Sequence, residues 1–213
     1  CVTGYTYASI VGGQTANTEF ELLTGNTLGF LSAGTTAFQL YIHGQMPSLV
    51  SNLKAEGYSG NKAMHPFNPY NYNRPAVYKD FGFTDFIDKF DFPKNVKRVR
   101  EYISDEANVD RIISEYEKNR KKTDQPFYMY NMTIQNHSPY DKDAANFKQP
   151  IKIESSKYDA EANRYLNMIK YSDDSLKQLT SYFEKCKEPT IILFLGDHQP
   201  RLTDEFMNKI TNG

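Results

Sequence analysis

The chain has 213 residues with 25 Lys and Arg against 26 Asp and Glu, a net charge of −1, so no global basic field announces a nucleic-acid partner and local sites must carry any anion binding. Its length fits one domain with a sizeable core, and no stretch approaches the roughly 18 consecutive apolar residues of a membrane span. Two cysteines, Cys1 and Cys186, are too few for a disulfide framework and too far apart in sequence to read as a metal pair.

Strand-like and helix-like segments alternate along the chain. YTYASIV (5–11) reads as a strand, followed by a short helix from Thr15 to Leu23 that Gly25 stops. SLVSNLKAEG (48–57) is amphipathic and ends in glycine, YSGNKAMH (58–65) reads as a strand, and RPAVYKDFG (74–82) as a short helix with Pro75 in its first turn. SDEANVDRIISEYEKNR (104–120) has Ser at an N-cap, acids in the first turn and bases in the last, which predicts a helix. PFYMYNMTI (126–134) is β-branched and aromatic, and residues 160–185 carry the longest helical pattern. TIILFLGDH (190–198) is a nearly continuous apolar run, the habit of a strand buried on both faces of a parallel sheet. The alternation predicts an α/β fold with a predominantly parallel sheet sandwiched by helices. The aromatic residues, 16 Tyr and 14 Phe without Trp, are expected mostly in the core. The basic patch KNVKRVR (94–100) reads as a solvated face.

Ligands of open α/β sheets bind beyond the carboxyl ends of the strands, so the strand ends carry the candidate chemistry. GDHQP places Asp197 and His198 after the 190–195 run, QNHSPY places His137 after the 126–134 segment, and MHPF places His65 after 58–64. His43 follows no comparable strand end. A carboxylate and an imidazole suit a divalent ion such as Mn²⁺ or Zn²⁺, yet two adjacent residues make at most half a site. Thr15 is open to two readings: an N-cap of the helix it precedes, or a third ligand whose hydroxyl, bound to a cation, loses its proton and becomes a nucleophile. Arg74 offers a bidentate fork for phosphate, against the plainer reading of a surface arginine.

In order along nearly the whole chain, these segments resemble the lipoteichoic acid synthase and phosphoglycerol transferase group of the sulfatase and alkaline phosphatase superfamily. GGQTANTEFELLTGN is similar to the family's nucleophile segment and GDHQP to its metal-binding pair. HPFNPYNYNRPAVYKDFGF is similar to its substrate loop, and NMTIQNHSPY to the segment carrying a further substrate histidine. The resemblance implies an alkaline phosphatase-like fold in which Thr15 forms a glycerophosphate ester and Thr15, Asp197 and His198 hold a divalent metal, Mn²⁺ first and Mg²⁺ or Zn²⁺ as alternatives. It implies that His65, Tyr72, Arg74 and His137 contact substrate. It further implies a phospholipid head-group donor, a glycerophosphate or glycan acceptor, and a parent protein anchored in a bacterial cell membrane with this domain facing outside.

Departures from the family pattern set further expectations. Tyr72 stands where lipoteichoic acid synthases tend to have Trp, and Phe67 where they have an acid, so the donor or acceptor head group is expected to differ. The family's remaining metal ligand is an acid at the end of the first strand, and no Asp or Glu precedes Thr15. Residues 1–213 are therefore expected to be a partial sulfatase-like catalytic domain, truncated at both ends, without the first strand, the C-terminal part or the membrane helices. Glu19, one turn after Thr15, is read as supporting the helix rather than replacing that ligand. Two other readings stand beside the transferase: a phosphodiesterase of the same superfamily, in which water resolves the intermediate, and a catalytically incomplete substrate-binding fragment. A sulfatase proper is disfavoured because no C/S-x-P-x-R motif occurs.

Overall fold

The computed structural model describes residues 2–154 and 158–211, so Cys1 lies outside the described residues. Three parallel strands form the central sheet in the order β2–β1–β5: β1 is Ser59–Met64, β2 is Asp85–Ile87 and β5 is Phe127–Asn131. Parallel neighbours need a crossover, and helices supply it. These are α4 (Arg74–Asp80) between β1 and β2, and α5 (Asp105–Arg120) between β2 and β5. A two-stranded antiparallel ribbon, β3 (Arg98–Val99) and β4 (Tyr102–Ile103), precedes α5. The remaining helices are α1 (Thr15–Thr24), α2 (Ala37–Leu40), α3 (Leu49–Ala55), α6 (Ala160–Phe183) and α7 (Asp204–Thr211).

Local chemistry explains the helix starts. The Ser104 hydroxyl accepts from the Ala107 amide at 3.1 Å and the Asp159 carboxylate from the Ala162 amide at 2.8 Å, capping α5 and α6. Ser48 and Ser51 close a reciprocal box at the start of α3. Alternation along β1 then divides the core: Ala63 joins a cluster with Phe38, Val50, Val77, Tyr78 and Phe81, while Met64 faces the other way onto Ile87, Phe92 and Ile103. Helices thus cover both faces of the sheet, as expected for an α/β fold. Gly60, at φ +81°, sits at the irregularity between β1 and β5, where an added Cβ would lie 2.6 Å from the Phe127 ring and 2.9 Å from the Tyr128 carbonyl.

Two predicted strands do not form. Residues 5–11 and 190–198 contribute only one bridge, Val11 to Gln199, supported by the Gly12 amide donating to the Gln199 carbonyl at 3.0 Å. The apolar run is open instead of buried, with Ile191 97%, Leu193 71% and Phe194 60% exposed. A continuous apolar run becomes a strand only when neighbours satisfy its backbone on both sides, and no described strand lies beside it. Helix α7, in contrast, is an element that no sequence expectation above covers.

Candidate active site

The opening glycines explain where Thr15 sits. Gly12, Gly13 and Gln14 all have positive φ (72°, 155° and 61°), so the chain turns sharply just before α1. Gln14, in the left-handed region, is the N-cap, and Thr15 is the first helical residue. The N-cap reading of Thr15 is therefore corrected: its hydroxyl leaves the helix amides alone and donates to Asp197 Oδ2 at 2.8 Å across 182 residues of sequence, with His198 Nε2 3.4 Å away. Thr18, one turn on, donates to the Asp197 carbonyl at 2.6 Å and fixes that loop against α1.

The histidine tautomer follows from its partner. His198 Nδ1 donates to the Gln199 carbonyl at 2.8 Å, which can only accept. Its Nε2 faces Asp197 Oδ2 at 3.1 Å, an ion pair when the ring is protonated and a lone pair open to a cation when it is neutral. Carboxylate, imidazole Nε2 and hydroxyl form a donor set that suits a hard or borderline divalent cation, with the imidazole oriented from behind by a backbone carbonyl. Among the described residues no cluster of three or more His, Cys, Asp or Glu side chains supplies a fuller set.

A second group assembles beyond β1 and β5. His65 follows β1 directly and is buried; its Nδ1 donates to the Met132 carbonyl at 3.1 Å. Burial first, and the nearby Arg74 charge second, push its pKa down to about 3, so its ring is neutral and its Nε2 is an acceptor. His137 is exposed, six residues past the end of β5 rather than at it, with Nδ1 donating to the Ser138 carbonyl at 2.7 Å. Phe67 stands between the two histidines, 6.0 Å from His65 and stacked 6.3 Å from His137.

Arg74 is not a surface arginine. It is 2% exposed at the start of α4, where Nε and Nη2 donate to Glu19 Oε1 at 3.2 and 2.5 Å and Nη1 reaches the Asn71 carbonyl at 3.5 Å. Burial opposes its charge, but the Glu19 carboxylate outweighs that and raises its pKa. The Tyr78 hydroxyl donates to Glu19 Oε2 in a short hydrogen bond, and burial followed by the Glu19 charge holds that phenol well above its usual range. Glu19 is thus committed to Arg74 and Tyr78, in keeping with a supporting role. The Tyr72 ring lies 5.1 Å from the guanidinium carbon and flanks it.

The structure therefore brings together Thr15, Asp197 and His198 in one cluster and His65 with His137 in another. Arg74 is tied to α1 through Glu19 and lies close enough to His65 to shift its titration. Sequence reasoning missed Arg100. In the patch read as a solvated face, it donates to the carbonyls of Gln135 (2.9 Å), His137 (2.6 Å) and Pro139 (2.6 Å) and clamps the histidine loop. Its positive φ of 54° was the consequence of a tight β3–β4 turn that no sequence signal marked.

Known proteins resemble this chain in sequence and in fold. Residues 2–212 match the Sulfatase family model. A Rhizobium meliloti protein named for cyclic beta-1,2-glucan modification is 37% identical over 93% of this chain and 30% of its own length. A Staphylococcus aureus lipoteichoic acid synthase is 28% identical over 87% of this chain and 28% of its own length. This chain thus spans about a third or less of these relatives. Among solved structures, the Streptococcus pyogenes phosphoglycerol transferase GacH in complex with sn-glycerol-1-phosphate superposes with a TM-score of 0.76 over 95% of this chain and 53% of its own, at 23% identity. A Vibrio parahaemolyticus protein in the alkaline phosphatase superfamily superposes with a TM-score of 0.64 over 85% of this chain and 41% of its own, at 22% identity, so the fold is alkaline phosphatase-like. The chain belongs to the sulfatase family, with lipoteichoic acid synthases among its relatives.

Proposed function

We propose that the protein containing this chain is a phosphoglycerol transferase with Thr15 as its nucleophile. The observation that carries the reading is the Thr15 hydroxyl held 2.8 Å from a carboxylate 182 residues away, with the His198 imidazole Nε2 3.4 Å from it. Thr15, Asp197 and His198 would hold a divalent ion, Mn²⁺ in the first instance, which lowers the pKa of a bound hydroxyl and offsets charge on phosphoryl oxygens.

The chain's own groups then divide the work. Thr15 Oγ1 attacks the phosphorus of a phosphatidylglycerol-type donor and passes its proton to Asp197, while the phosphorus–oxygen bond to diacylglycerol breaks. His137 gives the leaving oxygen its proton. In the second half an acceptor hydroxyl attacks the phosphorus and loses its proton to His137, the bond to Thr15 breaks, and Thr15 recovers its proton from Asp197. His65 stays neutral throughout and accepts a hydroxyl of the glycerol through Nε2. Arg74, pre-set by Glu19 and flanked by Tyr72, donates to the phosphoryl oxygens. Glycerophosphate or glycan serves as acceptor, in line with the names of the Rhizobium and Streptococcus relatives. The parent protein acts at a bacterial cell membrane with this domain outside, although among the described residues no helix is long and apolar enough to cross one.

The test is intact-protein mass spectrometry after incubation with phosphatidylglycerol and Mn²⁺. The wild type gains one glycerophosphate, Thr15→Ala gains none, and Thr15→Ser gains it more slowly. An adduct on Thr15→Ala would refute the nucleophile, and release of glycerophosphate to water at the same rate with and without acceptor would assign a hydrolase instead.

A further inference from the structure

Between α5, α6 and the loop that carries His137 lies a set of hydrogen bonds that takes no direct part in the reaction. Its centre is Asp105, the first residue of α5, which is 4% exposed. Asp105 Oδ2 accepts from the Ser172 hydroxyl of α6 at 2.5 Å and from the Gln135 side-chain amide at 3.3 Å, while the Asp105 backbone N–H donates to Gln135 Oε1 at 3.0 Å. One residue thus holds both ends of the Gln135 side chain, which fixes the orientation of that amide. Asn136 is tied in as well, its side-chain amide donating to the Ser172 hydroxyl at 2.8 Å.

We propose that Asp105 is a positioning residue that aims His137 for proton transfer by gripping Gln135 directly and Asn136 through Ser172; the proposal rests on the transferase reading above. Three observations carry it. First, the carboxylate is not needed to start its helix. Ser104 already caps α5, and among the described residues the donors to the Asp105 carboxylate come from the histidine loop and α6 alone.

Second, a carboxylate is kept where it is costly. Burial raises it to about 6, and an apolar side chain would fill the same space without that cost. Third, the grip completes the hold on one short loop. Arg100 takes the carbonyls of Gln135, His137 and Pro139, the Tyr140 hydroxyl donates to the Asn136 carbonyl at 3.0 Å, and the Phe67 and Tyr102 rings flank the imidazole at 6.3 and 5.8 Å. Asp105 and Ser172 supply the inner anchor, where Gln135 is 1% exposed. An exposed imidazole keeps its aim only while the backbone beneath it is fixed, and small misplacements of a catalytic group are expensive in rate.

The placing of an acid matters in proportion to the leaving group's need for a proton. Diacylglycerol needs one, whereas para-nitrophenolate leaves without it. The experiment measures the rate of glycerophosphate adduct formation on the parent protein with Mn²⁺ at neutral pH, from phosphatidylglycerol and from glycerol para-nitrophenyl phosphate. With phosphatidylglycerol, His137→Ala should be slower than the wild type by about 100-fold or more and Asp105→Ala by about 10–100-fold, while with the nitrophenyl donor each should lose less than about threefold. Asp105→Asn keeps an acceptor oxygen for both donors and should recover most of the rate that Asp105→Ala loses. If Asp105→Ala has no cooperative melt by circular dichroism, Ser172→Ala, which cuts one link of the set, is read in its place with the same preference between donors expected.

Equal slowing of both donors in the Asp105→Ala or substitute variant, or slowing of neither, overturns the proposal, since a merely structural role does not distinguish leaving groups. So does an Asp105→Asn protein as slow as Asp105→Ala. The two levels of the argument fail differently. No adduct on the wild type removes the transferase reading, and His137→Ala that slows both donors alike removes the proton-transfer role of His137; either takes the proposal with it. Selective slowing in His137→Ala without it in Asp105→Ala removes the Asp105 grip alone.

Discussion

Replacing Glu19 by Gln tests how Arg74 is held. The Glu19 side chain is 0% and the Arg74 side chain 2% exposed, and one Glu19 oxygen takes both guanidinium bonds while the other takes the Tyr78 hydroxyl. Breaking a buried pair by removing one partner costs ~3–5 kcal/mol, because the surviving charge is left uncompensated. Gln keeps an acceptor for Arg74, which places the variant at the lower end, about 3 kcal/mol. At ~2–4 °C per kcal/mol for a chain of this size, the midpoint should fall by about 6–12 °C. Circular dichroism melts of wild type, Glu19→Gln and the double variant Glu19→Met with Arg74→Met provide the assay. The double variant should be less destabilised than Glu19→Gln, since it buries no charge. A Glu19→Gln midpoint within about 2 °C of the wild type would refute the reasoning, because the pair would then be contributing no more than a surface bridge.

Other consequences follow from the same geometry. Asp105 is buried, burial raises its carboxyl to about 6 against the lowering effect of the Ser172 hydroxyl, and among the described residues its Oδ1 has no hydrogen-bond partner. The folded pKa lies above the unfolded value of ~3.9, so the folded state holds the extra proton and stability falls as pH rises from about 4 to 6. Denaturant titrations should show the wild type losing on the order of 2–3 kcal/mol relative to Asp105→Asn across that interval; parallel curves would contradict it. His65 has the opposite sign: with its folded pKa at about 3 and an unfolded value near ~6.5, its contribution is present above that value and is lost as pH falls through the interval. Nitrogen chemical shifts should report a neutral His65 ring at about pH 5, where an exposed imidazole is mostly charged. Gly60→Ala should cost at least about 1–3 kcal/mol in a thermal melt, since the new methyl meets backbone as well as a ring at a positive φ. Arg100→Ala removes three carbonyl contacts and should speed amide exchange over 134–139 while leaving exchange in α1 unchanged.

Much of this protein is determined locally. Caps and terminal charges at Ser104 and Asp159 specify α5 and α6, an aromatic-rich run specifies β5, and two glycines shortly before Thr15 announce a sharp turn. Motif order along nearly the whole chain made the family legible, and residues 2–212 match its model. Other features depended on partners far away in the chain. Residues 190–195 have the composition of a buried strand, but a strand exists only where a neighbour completes its hydrogen bonds, and none of the described residues does so. Thr15 could cap its helix or face a ligand, and only the approach of Asp197 across 182 residues decided that its hydroxyl points outward. Arg74 could lie on the surface, and burial beside Glu19 and Tyr78 settled it inside. Sequence fixes which groups are available and what each can donate or accept; the tertiary structure decides which lone pairs meet, because hydrogen bonds and charge pairs act over a few ångströms and not along the chain.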